Sequence, residues 1–195
     1  MTTPPVDFPR QFESKRLILR SYQPGDGEWY YAMSLRNREH LKRYEADNVA
    51  ADVPNVQAAE ELIRELSDAW ARRNYFFIGA FDKHTHEFVA QIYVGPVDWK
   101  LPEFQIGYFA DVDHEGNGYV TEAVIATLGI LFTRLGAHRV RLGCDVTNIR
   151  SIRVAERCHM TREGTLRENR RNPDGTYSSS FIYGLLESEF NPAEN

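Results

Sequence analysis

Five consecutive residues, Glu115-Gly116-Asn117-Gly118-Tyr119, carry the clearest chemical signal in the sequence. Two glycines one residue apart let the backbone turn tightly and approach a ligand with no Cβ between them. An apolar-patterned helix follows. The N–H groups of its first turn are unpaired and carry the positive end of the helix dipole. Such a turn can hold a pyrophosphate. Glycines also close ordinary strand-to-helix turns, so the turn alone leaves anion binding and plain turn closure both open. It is not the dinucleotide-binding GxGxxG, because Val120 and Thr121 stand where a third glycine would be needed. Nor is it GxxxxGK[ST], since no such lysine follows.

The remaining chemistry-bearing residues say less. Cys144 and Cys158 lie in apolar-patterned segments without CxxC or metal spacing, so reduced, buried thiols are expected. His84 and His86 fall in a polar turn, and His114 precedes the glycine loop, where it either touches a phosphate or lies on the surface. No carboxylate or cysteine cluster completes a ligand set around them, and no metal is expected.

These residues need elements to position them. Residues 16–20 read as a short strand, broken by Pro24-Gly25-Asp26-Gly27, with Asp26 placed to cap a following helix. Asn55 looks like the N-cap of a helix to about residue 73, with Ala59, Leu62, Ile63, Leu66, Ala69 and Trp70 recurring at threes and fours. Residues 75–81 and 88–94 are aromatic and β-branched around a polar turn, which predicts a hairpin, and residues 104–110 predict a third strand. After the glycine loop a helix runs to Gly136, a natural C′ residue. Val140, Leu142, Cys144 and Val146 alternate as a strand, residues 148–159 form a short helix, and residues 161–171 and 176–186 close the chain as a hairpin. The order predicts a single α/β domain over residues 1–195 with a mixed central sheet flanked by helices, residues 1–12 being a loose start.

A chain of 195 residues, 42% hydrophobic and 26% charged, suits one globular enzyme domain without disulfides or metals. Its net charge of −5 argues against nucleic acid as the main partner and is compatible with a cationic substrate. No apolar run approaches the roughly 20 residues of a membrane span, and the N-terminal residues lack a basic start and apolar core. A cytoplasmic protein with no membrane partner is expected.

The glycine turn gains meaning from its company. Ile106-Gly107-Tyr108, Gly116-Asn117-Gly118-Tyr119-Val120-Thr121-Glu122-Ala123, Asn148-Ile149-Arg150-Ser151 and Glu163-Gly164 resemble, in order and spacing, the RimJ/RimL-type N-acetyltransferases of the GCN5-related (GNAT) superfamily. Residues 16–20 and 37–44 are also similar to that family's first elements, and the resemblance spans residues 16–186. It implies two neighbouring parallel strands that splay apart, with acetyl-CoA as cosubstrate lying between them. Carried over, the strand edge that pairs with its arm is Phe109, Ala110 and Asp111. The pyrophosphate loop is Glu115, Gly116, Asn117, Gly118, Tyr119 and Val120. The resemblance also puts Asn148 and Ser151 near the cofactor, Ser151 beside its sulfur. Read from the residues alone, Asn148 is an N-cap, and both roles can hold together.

The sequence departs from the family at the proton-transfer residue. The glutamate that several GNAT enzymes carry before Ile-Gly-Tyr is Gln105 here, which cannot act as a base. Glu103 lies two residues earlier on the same strand face and is the candidate substitute, alongside Ser151 as a catalytic residue. A late-strand position that some relatives give to a carboxylate is Arg170. The implied activity is acetylation of a primary amine, favouring an α-amino group on a protein N-terminus, peptide or amino-acid-like molecule. Trp29, Tyr30, Tyr44, Trp70, Trp99 and Tyr177 are candidates to line its site or to fill the core. Acetylation of a polyamine or aminoglycoside, a non-catalytic acyl-CoA-binding regulator, and a domain binding AMP or NAD are the alternatives. Relatives are often dimers and exposed sheet edges favour pairing, so a homodimer is expected.

Overall fold

The computed structural model describes residues 7–45, 47–172 and 174–191. Eight strands form one sheet in the order β1-β2-β3-β4-β5-β6-β8-β7. They are β1 (Gln11–Glu13), β2 (Leu17–Ser21), β3 (Phe76–Asp82), β4 (Phe88–Asp98), β5 (Glu103–Ala110), β6 (Arg139–Asp145), β7 (Thr161–Arg171) and β8 (Tyr177–Leu186). The pairing is antiparallel except between β5 and β6, which run parallel, so the sheet is mixed as expected. The closing hairpin docks through its second strand, β8 sitting between β6 and β7.

Helices cover both faces. On one, α3 (Tyr119–Thr133) buries Ala123, Val124, Leu128, Leu131 and Phe132 against Ile78, Ile92, Ile106 and Val140, and α4 (Ile149–Arg157) adds Ala155. On the other, α1 (Gly27–Tyr44) and α2 (Val56–Ala71) bury Tyr30, Met33, Leu41, Ala59, Ile63 and Leu66 against Phe77, Phe81, Phe88 and Phe109. Each fully buried Leu, Ile or Phe is worth about 1.5–3 kcal/mol, so the two layers fix the sheet between them. No helix among the described residues is long and apolar enough to cross a membrane.

Local chemistry sets the helix starts. Asn55 caps α2 by accepting the Ala58 N–H at 2.9 Å, as its type predicts. Asp26 precedes α1 without capping it; its carboxylate takes Arg20, at 2.6 and 3.0 Å, and the Trp29 indole at 2.8 Å. An ion pair outcompetes a single cap bond. The start of the chain is tighter than expected. Phe8 is buried and stacks on Phe76 with centroids 4.9 Å apart, and Gln11 to Glu13 pair with β2, so the loose segment does not reach residue 12. Residues 1–6, and Pro173 in the closing turn, lie outside the described residues.

Candidate active site

β5 and β6 pair from Glu103↔Arg139 to Ile106↔Leu142 and no further. β4 holds β5 as far as Ala110, and β8 holds β6 as far as Asp145. Each strand therefore stays tied on its outer side while the inner edges separate, and α3 joins the end of β5 to the start of β6. The splay expected of residues 104–110 and 138–146 is present. Tyr108 bridges it, donating its hydroxyl to the Ser151 carbonyl at 2.9 Å.

A cavity of about 440 Å³ opens over this mouth. Phe109, Ala110, Glu115, Gly116, Gly118, Tyr119, Val120, Asn148 and Ser151 all line it, which brings together most of the residues assigned to the cofactor. Gly116 and Gly118 have φ of +79° and +76°, a left-handed conformation that favours glycine, and a Cβ on Gly116 would meet nothing within 4 Å. Beyond them the helix ladder first reaches Glu122, whose N–H donates to the Gly118 carbonyl at 3.1 Å. The N–H groups of Tyr119, Val120 and Thr121 make the open first turn of α3. Arg16 moors the loop from outside, donating to the Asn117 carbonyl at 3.1 Å and to the Glu122 carboxylate at 2.6 Å.

Side chains refine the assignment. Tyr119 packs its ring under Arg16 and donates its hydroxyl to Asp82 at 2.8 Å, two residues that do not line the cavity. Asn117 does not line the cavity; it folds back on the His114 and Glu115 carbonyls. Asn148 is the N-cap of α4, its Oδ1 accepting the Ser151 N–H at 3.1 Å. The Ser151 hydroxyl has no partner among the described residues.

Two expectations are corrected. Asp111 is fully buried and absent from the cavity wall. Its N–H donates to the Val89 carbonyl and its carboxylate takes Arg36 at 2.6 Å and Asn37 at 2.8 Å. Burial pushes that carboxyl up, but the hydrogen bonds from Arg36 and Asn37 outweigh it and hold it below the usual carboxylate range. Glu103 sits at the paired end of β5, before the splay, where its Oε1 accepts from Arg139 at 3.2 Å beside Glu163. It lines neither cavity at the mouth. Glu103→Gln is therefore expected to leave kcat within about threefold and stability within about 1 kcal/mol, since Arg139 keeps Glu163. Steady-state kinetics and a melting curve check both.

A row of cations escaped the sequence reading. Arg150, Arg153 and Arg157, with His40 and Arg43, rim the smaller cavity. The signal was present: positions i, i+3 and i+7 of α4 share one face. Glu115 joins the loop to this row through Arg150 at 2.5 Å and lies 3.5 Å from His40, so its charge is balanced where an anion would sit. His114 is engaged between Asp111 and Glu87, at 3.3 and 3.4 Å.

A second cavity, of about 810 Å³, opens on the other side of the mouth between the segment after α1, β3–β4 and the closing hairpin. Its aromatic lining is Phe77, Tyr93 and Tyr108. The six aromatics named from sequence go elsewhere. Trp29, Tyr30 and Trp70 pack in the two cores, Tyr44 lines the smaller cavity, and Trp99 and Tyr177 are exposed at 44% and 60%. Arg141 and Arg170, Glu45 and Asp47 all line this larger space. Gln105 lines it and accepts from Arg141 at 3.2 Å.

Known proteins share this fold. Residues 16–161 match the model of the acetyltransferase (GNAT) domain. The chain is 25% identical over 158 residues to the "Probable N-acetyltransferase YjcK" of Bacillus subtilis (strain 168), covering 80% of this chain and 87% of that one. Among solved structures, the ribosomal L7/L12 α-N-protein acetyltransferase RimL in complex with coenzyme A superposes with a TM-score of 0.80 at 20% identity, covering 89% of this chain and 95% of that chain. The microcin C7 self-immunity acetyltransferase MccE, solved with acetyl-CoA and AMP, gives 0.78 at 20% identity over 88% and 93%. With a matched domain spanning most of its length and the splayed strands that define the site, the chain belongs to the GNAT acetyltransferases, N-acetyltransferases that take their acetyl group from acetyl-CoA.

Proposed function

We propose that this enzyme acetylates the α-amino group of a protein N-terminus, a peptide or an amino-acid-like small molecule. The observation that carries the reading is the meeting of two cavities at the mouth of the splay, one rimmed by cations and a glycine loop, the other open and of mixed charge. The smaller suits acetyl-CoA. Its phosphates would meet the N–H groups from Gly116 to Val120 and the α4 arginines, and its extended arm would take the edge of Phe109 and Ala110 that β6 leaves unpaired. The larger suits an amine whose neighbouring groups are polar, because its lining carries both Arg141 and Arg170 and Glu45 and Asp47.

Backbone N–H near Ala110 polarises the thioester carbonyl, and holding the amine against it supplies much of the acceleration. Ser151, which lines the mouth and whose hydroxyl has no partner among the described residues, gives a proton to the departing thiolate. Ser151→Ala is expected to lower kcat at least tenfold with the acetyl-CoA KM within about threefold. Turnover that barely changes would remove Ser151 from the chemistry.

Thiol release with a panel of amines, including N-terminal peptides, amino-acid amides, polyamines and aminoglycosides, tests the function. Turnover on α-amines above the others supports it. Preference for polyamines or aminoglycosides would move the substrate class. Tight coenzyme A binding without turnover on any amine would favour the regulator that Gln105 permits.

A further inference from the structure

We propose that the carboxylate of Glu45 is the general base that takes the proton from the incoming ammonium; the assignment rests on the acetyl-transfer reading above. Glu45 closes α1, its N–H donating to the Leu41 carbonyl at 2.7 Å and its own carbonyl accepting from Asn48 at 2.9 Å, so its backbone is pinned at the helix end. Among the described residues that line the two cavities, Glu45 and Tyr108 alone line both. That junction is where an amine from the larger cavity would meet an acetyl group held in the smaller one.

Tyr108 cannot be the base. Its hydroxyl is already a donor to Ser151, and burial pushes its pKa well above the usual phenol value. Asp47, the other acidic residue of the larger cavity, is exposed and does not line the smaller one, so it is off the junction; the remaining carboxylates nearby are engaged or elsewhere. Glu103 and Asp111 are bound to arginines outside both cavities, Glu115 is paired with Arg150, and Asp145 is bound by Thr147. Gln105, where related enzymes carry a glutamate, lines the larger cavity but cannot accept a proton.

The groups facing Glu45 are Arg170 from β7, Asp47 and Asn48 from the following loop, Tyr108 from β5 and Cys144 from β6. Arg170 is held there by donating to the Tyr44 carbonyl at 3.1 Å. Burial raises the carboxyl to about 7, against the opposing pull of Arg170 and Asn48. A carboxylate so poised is ionised in much of the enzyme at neutral pH, yet basic enough to relieve an ammonium group.

The step balances. One proton passes from the ammonium nitrogen to a Glu45 oxygen, directly or through one water. The freed lone pair attacks the thioester carbonyl carbon, the C–N bond forms, and the C–S bond breaks as the thiolate leaves. The nitrogen's second proton passes to the Ser151 oxygen as that hydroxyl gives its own proton to the thiolate, and Glu45 returns its own to water. The products are the amide, the free thiol and one proton.

Glu45→Gln and Glu45→Asp test the assignment on the best amine of the panel. Glu45→Gln should lower kcat at least a hundredfold with the acetyl-CoA KM within about threefold, and Glu45→Asp should recover part of the loss. The native kcat should fall as pH drops through about 7, because a protonated Glu45 cannot take the proton. In Glu45→Gln that limb should be gone, leaving a low rate that rises only with the amine's own deprotonation. The raised carboxyl means the fold disfavours its charged form, so Glu45→Gln should melt no lower than the native enzyme at pH 8. Native turnover with Glu45→Gln within threefold, its acidic limb intact, overturns the base and leaves the function standing. Native enzyme silent on every amine removes the function, and the base with it.

Discussion

Gly118→Val should weaken acetyl-CoA binding at least tenfold while the domain stays folded, destabilised by about 1–3 kcal/mol. Gly118 is the N-cap of α3 at φ +76°, a conformation a β-branched residue adopts only under strain. Crowding within the protein is not the cause, since an added Cβ would meet only the Arg16 guanidinium, at an ordinary 3.7 Å. To relieve the strain the backbone must rotate, and that rotation re-aims the N–H groups of Tyr119 and Val120 that face the cavity. Losing one well-aimed charge-assisted bond costs about 1.5 kcal/mol or more, which is roughly tenfold in affinity. Circular dichroism and calorimetric titration separate the two effects. A folded variant with unaltered coenzyme A affinity would take the loop out of the cosubstrate site.

That loop was legible in the sequence because glycine's freedom is written in its residue type, and its helix in a 3.6-residue period. The splay was not legible from periodicity, since Gly107 and Gly143 read as ordinary strand positions on either side of the point where pairing stops; the resemblance supplied it. Asp111 and Glu103 were misplaced for one reason. A carboxylate's type and strand position do not reveal which arginine it will find, and Arg36 and Arg139 come from distant parts of the chain. Glu45 was invisible because its environment is assembled from α1, β5, β6 and β7 only on folding.

Asp111→Ala should cost about 3 kcal/mol, a fall in Tm of roughly 6–12 °C for a chain this size. The side chain is fully buried and ties Arg36 and Asn37 of α1 to the end of β5, while Asn37 returns a bond to the Val112 N–H at 2.8 Å. Removal takes the partner from one N–H of the buried Asn37 amide, whose nitrogen keeps the Met33 carbonyl at 3.0 Å; Arg36, partly exposed, retains Asp113 at 3.2 Å, which keeps the loss at the lower end for a broken buried pair. The pH dependence follows from the depressed carboxyl. Its contribution is fully present above the unfolded value of about 3.9 and is lost as pH falls through the lower folded value. The gap between native and variant melting temperatures should therefore be constant from pH 5 to 8 and shrink in acid. A difference under about 2 °C at neutral pH would mean that the network carries no stability.

The four-residue contact between β5 and β6 divides the sheet into a leaf of five strands and a leaf of three, joined at one end like a partly opened book. On the proposed reading, a pantetheine arm in the opening completes hydrogen bonds that a longer ladder would have made. The cosubstrate then acts as a temporary ninth strand, and its binding energy becomes folding energy. At a hundred times its Kd it would add about 2.7 kcal/mol, a sizeable share of what a domain of this kind has in total. An enzyme built this way couples its own persistence to the supply of its acyl donor, holding together best when it has something to transfer.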